Sequence, residues 1–405
     1  MQNLSLALQN EIAALEEAIS GKRFSVQCGN RLGPRISHQL TSFGAESAYV
    51  IPDSDHARND EAMFSERIAA LSTDWVIVGD TSHLKTVRKA QVFGAHEERW
   101  TFLEDKVRVQ NVICELGLAQ PPTLVIIATA AELRRAYEEV SGPSGAVYAI
   151  SGIHGGGTGL RWVNEIANLS KHSEFLLQNG NPVRVQRFVP GIPSAMHAIV
   201  ARDQIALLGP AEQLSLANST DGIFEFFGVA TLWKPNHAAV QAMERAALRL
   251  AEYVRDKLCY RGFLCVDGIC TERDFLITDV NPRFSIGADV QAKACGVPWL
   301  RLLDRVLRQY PDKRYAIEET ALHIRSTQEP MVRVGIRADI SSSPLFTEYE
   351  TVWRIGTRPH LVLRSSDARP FVVADLTRRG RMDLAAVPFG SSFKMLVQQI
   401  RQGNL

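Results

Sequence analysis

Residues 263–271 and 275–280 read as two strands rich in apolar and β-branched side chains, and only the polar triplet Glu272-Arg273-Asp274 separates them. So short a connection joins antiparallel neighbours, because parallel strands need a crossover of a dozen or more residues. A three-residue loop pairs Thr271 with Phe275, and counting back from there sets Asp267 opposite Asp279. Like charges facing each other across a hairpin repel, and a bound cation removes that conflict. Asn281 lies two residues beyond Asp279 on the same face, and Arg283 two beyond that. Hard oxygen donors of this kind suit Mg2+ (or Mn2+), which takes its remaining ligands from water and substrate phosphates. A guanidinium beside them suits phosphate oxygens. Taken alone, the same residues also fit a hairpin of different register, with the polar groups in solvent and Asn281-Pro282 as a turn.

The rest of the chain sets that hairpin in an α/β frame. A length of 405 residues exceeds what one core holds, so several units are expected. Residues 4–19 repeat apolar side chains at helical spacing up to Gly21. Strand-like runs at 24–28, 48–51 and 75–78, with a helix through Leu40, predict a small parallel-sheet layer. Gly29 and Gly33 follow the first strand. Without a third glycine and a later acid they form a weak dinucleotide fingerprint and read better as a structural turn. A second unit opens with a helix over 102–116 and a strand over 123–127. Thr129 with Glu132 forms a capping box, which predicts a helix over 130–140. The strand 146–150 leads into the most glycine-dense stretch, residues 151–160. A strand over 183–189, a hairpin around Arg202-Asp203, a long helix over 238–258 and the acidic hairpin follow. After Tyr310 the pattern gives short strands at 322–325, 332–336, 348–353 and 371–375, then a last helix over 393–401.

Composition excludes several classes. With 45% hydrophobic and 22% charged residues the chain is globular, and a net charge of +1 offers no nucleic-acid footprint. No apolar run approaches the roughly 20 residues of a membrane span, and acids at Glu11, Glu16 and Glu17 are wrong for a signal peptide, so a cytoplasmic protein is expected. The six cysteines contain no Cys-x-x-Cys pair, and they read as reduced, buried side chains rather than zinc ligands.

The ordered set of Asp105-Lys106, glycine-rich loop, Gln186-bearing strand, Asp267 and Asp279-x-Asn281-x-Arg283 resembles the ATP-grasp superfamily over about residues 100–305. An acid about a dozen positions before an acid-x-Asn-x-Arg segment is the most specific part of the likeness, although both acids are more often Glu in that family. The resemblance implies an α/β (α+β) chain. Its parts would be an N-terminal Rossmann-like pre-ATP-grasp domain over 1–98, a lid subdomain over 99–182, a metal and catalytic subdomain over 183–310 and a small C-terminal α+β module over 311–405.

By the same resemblance, Asp267, Asp279 and Asn281 hold magnesium, and Arg283 with Asn281 stabilises the transferred phosphoryl group. Lys106, Gly155, Gly156, Gly157 and Thr158 contact the phosphates. Gln186, Phe188 and Val189 grip adenine. A second phosphate lysine is expected on the strand entering the glycine loop, at Ile150 or Ser151, and no lysine occurs between Lys106 and Lys171. Arg161, Arg187 and His154 are the replacements the sequence offers. Glu212, Gln213 and His197 are candidates to orient a substrate, while Phe226 and Phe227 read as core. The activity implied is that of an ATP-dependent carboxylate–amine ligase, with small-molecule carboxylate and amine substrates and no nucleic-acid or membrane partner. Members of the superfamily are frequently homodimers. The aspartate form of the third motif and the extra C-terminal module are most similar to ligases that join amino acids or peptides, such as the pheganomycin type. Two alternatives stay open: a biotin-carboxylase-like enzyme, and a non-catalytic nucleotide-binding regulatory or scaffold protein.

Overall fold

Alternating short apolar runs and helices build the first layer. In this computed structural model the described residues are 6–26, 32–50, 73–79, 84–87, 89–178, 181–217, 221–231 and 233–327, with the strands Met331–Arg337, Glu350–Ile355, Arg358–Arg364 and Phe371–Thr377. Strands Ser47–Val50, Arg23–Val26, Trp75–Ile77 and Ala90–Val92 lie side by side in parallel, and Thr86–Val87 closes the edge antiparallel. Phe24 and Trp75 meet Phe93 edge-on at 5.4 and 5.5 Å, which ties this layer to the loop that follows it. Cys28, the expected turn at Gly29 and the expected helix over 393–401 lie outside the described residues, and Gly33 falls within helix Leu32–Ser42.

The second layer is a four-stranded antiparallel sheet in the order Thr123–Ile127, Pro182–Arg187, Ala146–Ile150, Leu160–Val163. Helix Ala130–Val140 begins where Thr129 accepts the Glu132 N–H at 3.1 Å, as the capping box predicts. Its buried residues Leu133, Ala136 and Val140 pack with Val183 and Val185. Strand alternation therefore turns Arg184 and Gln186 to the opposite face.

An eight-stranded sheet forms the largest layer, ordered Phe275–Asn281, Gly262–Cys270, Ile192–Val200, Ala211–Ala217, Phe224–Ala230, Met331–Arg337 and Phe371–Thr377, with Ile205–Leu207 also paired to Ile192–Val200. Helix His237–Lys257, capped by Asn236 accepting from the Ala239 N–H, lays Met243, Ala247, Leu250, Ala251 and Val254 on one face of this sheet. Met196, Leu264, Val266, Ile277 and Val280 meet it there. The other face is covered in part by helices Ile286–Ala294 and Leu300–Gln309, and at the hairpin end it looks toward the four-stranded layer.

Three expectations need correction. The run 322–325, expected as a strand, lies inside helix Ile317–Thr327, where Ala321 and Ile324 share the buried face. The continuous helix over 102–116 is instead a 3-10 turn, Glu98–Glu104, and a short helix, Gln110–Glu115. The break occurs because the Asp105 carboxylate accepts the Val107 and Arg108 N–H groups, a local competition with helical bonding. Of the five described cysteines only Cys265 and Cys270 are buried, whereas Cys114 and Cys259 are exposed. Among the described residues, no helix is long and apolar enough to cross a membrane.

Candidate active site

The acidic hairpin pairs Asp267 directly with Asp279, by a route the loop count does not contain. Cys270, not Thr271, pairs with Phe275, and the register then slips between Asp267 and Gly268, leaving Thr278 as an extra residue. Uninterrupted alternation would set Asp279 on the same face as Phe275 and Ile277, which are fully buried in the core. The bulge reverses that phase. Val280 takes the core side, and Asp279 and Asn281 turn into a cavity of about 570 Å³ between the two antiparallel sheets, a size in the range of small-molecule sites.

A polar network surrounds the acids. Gln213 Nε2 donates to Asp267 Oδ1 at 2.7 Å, Cys265 Sγ lies 3.1 Å from the same oxygen, and Asn281 Nδ2 donates to Asp267 Oδ2 at 3.0 Å. Lys106 Nζ sits 2.5 Å from Asp279 Oδ2. Arg283 bonds Glu104 through Nε at 2.8 Å and Asn281 Oδ1 through Nη2 at 3.1 Å. Burial, with the Asp279 charge opposite, pushes the Asp267 carboxyl up to about 6. Burial also works against the Arg283 charge, but Glu104 outweighs it and holds the guanidinium ionised. Two opposed carboxylates, one held partly protonated by the other, suit a hard divalent cation, and the Asn281 amide oxygen would join them by turning from Arg283.

Glycines roof the cavity. The stretch 151–160 is the tip between strands Ala146–Ile150 and Leu160–Val163, and Gly155, Gly156 and Gly157 all line the space beneath. Gly157 has φ +85°, and a Cβ there would lie 2.7 Å from the Phe224 carbonyl oxygen, so only glycine fits. At its start the loop is held by Asp105, which accepts Ser151 Oγ at 2.7 Å and the Gly152 N–H at 2.9 Å. Burial alone would raise the Asp105 carboxyl, but hydrogen bonds from Ser151, Val107, Gly152 and Arg108 hold it below the usual range.

The structure brings most of the sequence candidates into one cavity wall: Lys106, the three glycines, Gln186, Phe188, Val189, Gln213, His197, Asp267, Asp279, Asn281 and Arg283. Gln186 bonds Thr123 Oγ1 at 3.0 Å, and Phe188 stacks on Trp162 with ring centroids 4.7 Å apart. His197 is neutral, with burial pushing it down to about 4. The Gln291 amide is clamped by both backbone groups of Gly209 and donates to His197 Nδ1 at 3.3 Å, so the ring proton sits on Nε2 and points to Ser285 Oγ at 2.7 Å. Two candidates lie elsewhere. Thr158 is exposed, donating to the Gly155 carbonyl, and Glu212 is buried on the opposite face of the strand that carries Gln213. Phe226, expected in the core, lines the cavity instead, because the bulge after Leu214 shifts its strand pairing.

Of the cations offered in place of the second lysine, Arg161 stacks on Phe175 at 3.5 Å away from the cavity, and Arg187 and His154 line it. Arg187 is held by the Val140 carbonyl at 3.0 Å. Glu104 and Arg184 are site residues no sequence motif singles out. Glu104 is adjacent to the Asp105-Lys106 pair, and Arg184 stands two residues before Gln186, a spacing that already implies a shared strand face.

No protein-family profile matches the chain. Solved structures do. An N5-carboxyaminoimidazole ribonucleotide synthetase in its ADP complex aligns over 95% of this chain and 98% of its own, with TM-score 0.60 at 14% identity. The biotin carboxylase domain of the 2-oxoglutarate carboxylase from Hydrogenobacter thermophilus, solved with MgADP and bicarbonate, aligns over 88% and 86%, with TM-score 0.64 at 12% identity. The chain has the ATP-grasp fold. Phosphoribosylamine–glycine ligase from Thermotoga maritima, at TM-score 0.57 and 15% identity over 90% and 94% of the chains, shares it. In ATP-grasp terms the cavity lies in the cleft between the two antiparallel sheets, with the glycine tip above it and the acidic hairpin below.

Proposed function

We propose that this protein is an ATP-dependent ligase that activates a carboxylate by phosphorylation and joins it to an amine. The observation that carries this reading is the opposed Asp267–Asp279 pair, which shares a glycine-roofed cavity with Lys106, Asn281 and Arg283. Asp267, Asp279 and Asn281 are the groups that would hold magnesium, whose positive charge would draw together and polarise the terminal phosphates of ATP. Lys106 occupies the open side of Asp279 in the free protein. It is therefore placed to pass from that carboxylate to a phosphate oxygen when nucleotide arrives. Gln186, Phe188 and Val189 form the adenine end of the cleft.

The chemistry is a two-step exchange. A carboxylate oxygen attacks the terminal phosphorus, ADP leaves, and an amine nitrogen then attacks the acyl carbon while phosphate departs and the amine proton passes to solvent. Arg283, kept ionised by Glu104, offsets negative charge during both displacements. The glycine tip and the ring of Phe226 line the cavity, where they would shield the activated acid from hydrolysis. An amino acid or peptide as the amine is the narrower form of this reading, supported by the aspartate form of the third motif. Bicarbonate as the acid is a second form, favoured by the bicarbonate-bound biotin carboxylase domain among the structural neighbours.

An ADP-release assay across amino acids, small carboxylates and bicarbonate tests all forms. Turnover is expected only when acid and amine are both present. Asp279→Ala should lower it by about 100-fold or more, in line with the loss of a group acting on transition-state charge. ADP release that needs bicarbonate identifies the second form. A protein that binds MgATP and never turns over leaves only the regulatory role.

A further inference from the structure

Arg184 is a buried cation with most of its hydrogen-bonding capacity unused. It sits on strand Pro182–Arg187, between Val125 and Ala149 of the flanking strands, and is 2% exposed. Its Nη2 donates to the Thr278 carbonyl at 2.8 Å, reaching from the four-stranded sheet to the bulge of the acidic hairpin. Its Nε and Nη1 have no hydrogen-bond partner, although the side chain lines the cavity. A guanidinium carries five N–H donors, and buried donors in folded proteins are almost always paired. The neighbouring acids Asp279 and Asp105 favour its charge through space but make no hydrogen bond to it. Asp105 is engaged by Ser151 and three backbone N–H groups, and Asp279 by Lys106 and the Val280 N–H. Burial draws the Arg184 pKa down to about 10, which still leaves it charged at neutral pH.

We propose that Arg184 binds the phosphate chain of the nucleotide, through the N–H groups at Nε and Nη1 that the protein leaves unpaired. This rests on the nucleotide-binding reading above. The placement selects phosphate over the carboxylate of an acid substrate. Residues 184, 186 and 188 alternate onto one strand face, so Arg184 lies between the adenine end, marked by Gln186 and Phe188, and the acids, marked by Thr278 and Asp279. A chain of phosphates spans that interval. The register pair Ala149–Arg184 also sets the guanidinium beside the strand that enters the glycine tip, where no lysine stands. The positive charge comes from the adjacent strand instead.

The test compares Arg184→Met and Arg184→Lys with the unaltered protein, measuring Kd for MgATP and for adenosine by calorimetry and the Tm of the nucleotide-free protein. Arg184→Met should weaken MgATP about 10- to 100-fold, the range of a lost charged hydrogen bond, and leave adenosine binding unchanged. Arg184→Lys should recover part of the MgATP affinity. The nucleotide-free Tm of Arg184→Met should be equal or higher, since the substitution removes orphaned buried donors. Equal losses for MgATP and adenosine, or a lowered Tm with unchanged MgATP affinity, would mean that Arg184 only ties the two sheets together and would overturn the proposal. If the unaltered protein binds MgATP and Arg184→Met binds it equally well, Arg184 alone is misassigned. If the unaltered protein binds no nucleotide, the reading beneath it falls too.

Discussion

At the scale of single residues, the acidic pair is under electrostatic stress that a cation relieves. Asp267 is raised from 3.8 to about 6 by burial and by Asp279, so in the metal-free protein a proton takes the cation's place as the pH falls. Magnesium affinity should therefore weaken below about pH 6, and Asp267→Asn should bind weakly with a much flatter pH profile, as calorimetric titration at pH 5, 6 and 7.5 will read. The stability linkage has the same origin. An acid whose folded pKa is raised contributes most below its unfolded pKa, and that contribution is lost as the pH rises through about 6. Magnesium should restore it, giving a Tm increase on adding metal that is larger at pH 7.5 than at pH 5. A Tm response independent of pH would show that Asp267 is not a ligand.

Elements position those residues through local irregularities. The bulge at Thr278 reverses strand phase once, and the turn at 105–109 lifts Lys106 out of helical geometry toward Asp279. The glycine tip depends on backbone freedom in unequal measure. Gly156 has φ +62° with open space around it, while Gly157 combines φ +85° with the Phe224 backbone in close contact. Alanine at either position costs about 1–2 kcal/mol of left-handed strain, and only at Gly157 does a clash add to it. Gly157→Ala should reduce kcat/KM for ATP about tenfold or more, and Gly156→Ala by clearly less, with steady-state ADP release as the readout. Equal effects would mean that the contact with Phe224 is not part of the working conformation.

On the scale of the whole molecule, the N-terminal layer meets the remainder at a buried polar contact that titrates. Glu11, on helix Leu6–Ile19, bonds Thr320 of helix Ile317–Thr327 and is raised from 4.5 to about 8 by burial and by Glu319. The neutral carboxyl stabilises the docked helices fully below about 4.5, and that stability is lost as the pH rises through about 8. Glu11→Gln should therefore raise stability by at least about 1 kcal/mol at pH 8 and by little at pH 5, measured by urea denaturation. No gain at pH 8 would place an ionised carboxylate in that interface. Helical spacing sets Glu11 beside Leu8 and Leu15, but the sequence does not name its partner, which lies 309 positions away.

What the amino-acid sequence determined by itself is the local grammar. Thr129 and Glu132 specify a helix start, the apolar spacing over 237–257 specifies one buried face, and two short runs joined by a few polar residues specify a hairpin. Each follows from periodicity or hydrogen bonding within a few residues. Tertiary structure decided which face Asp279 takes, because a bulge follows from what both strand faces must bury rather than from the loop length. It decided that Lys106 meets Asp279, 173 positions away. It also decided that Arg184 stands beside the strand entering the glycine tip, since strand pairing across the four-stranded sheet brings Ala149 and Arg184 side by side. Charges find their partners through space, and only the packed sheets fix those distances.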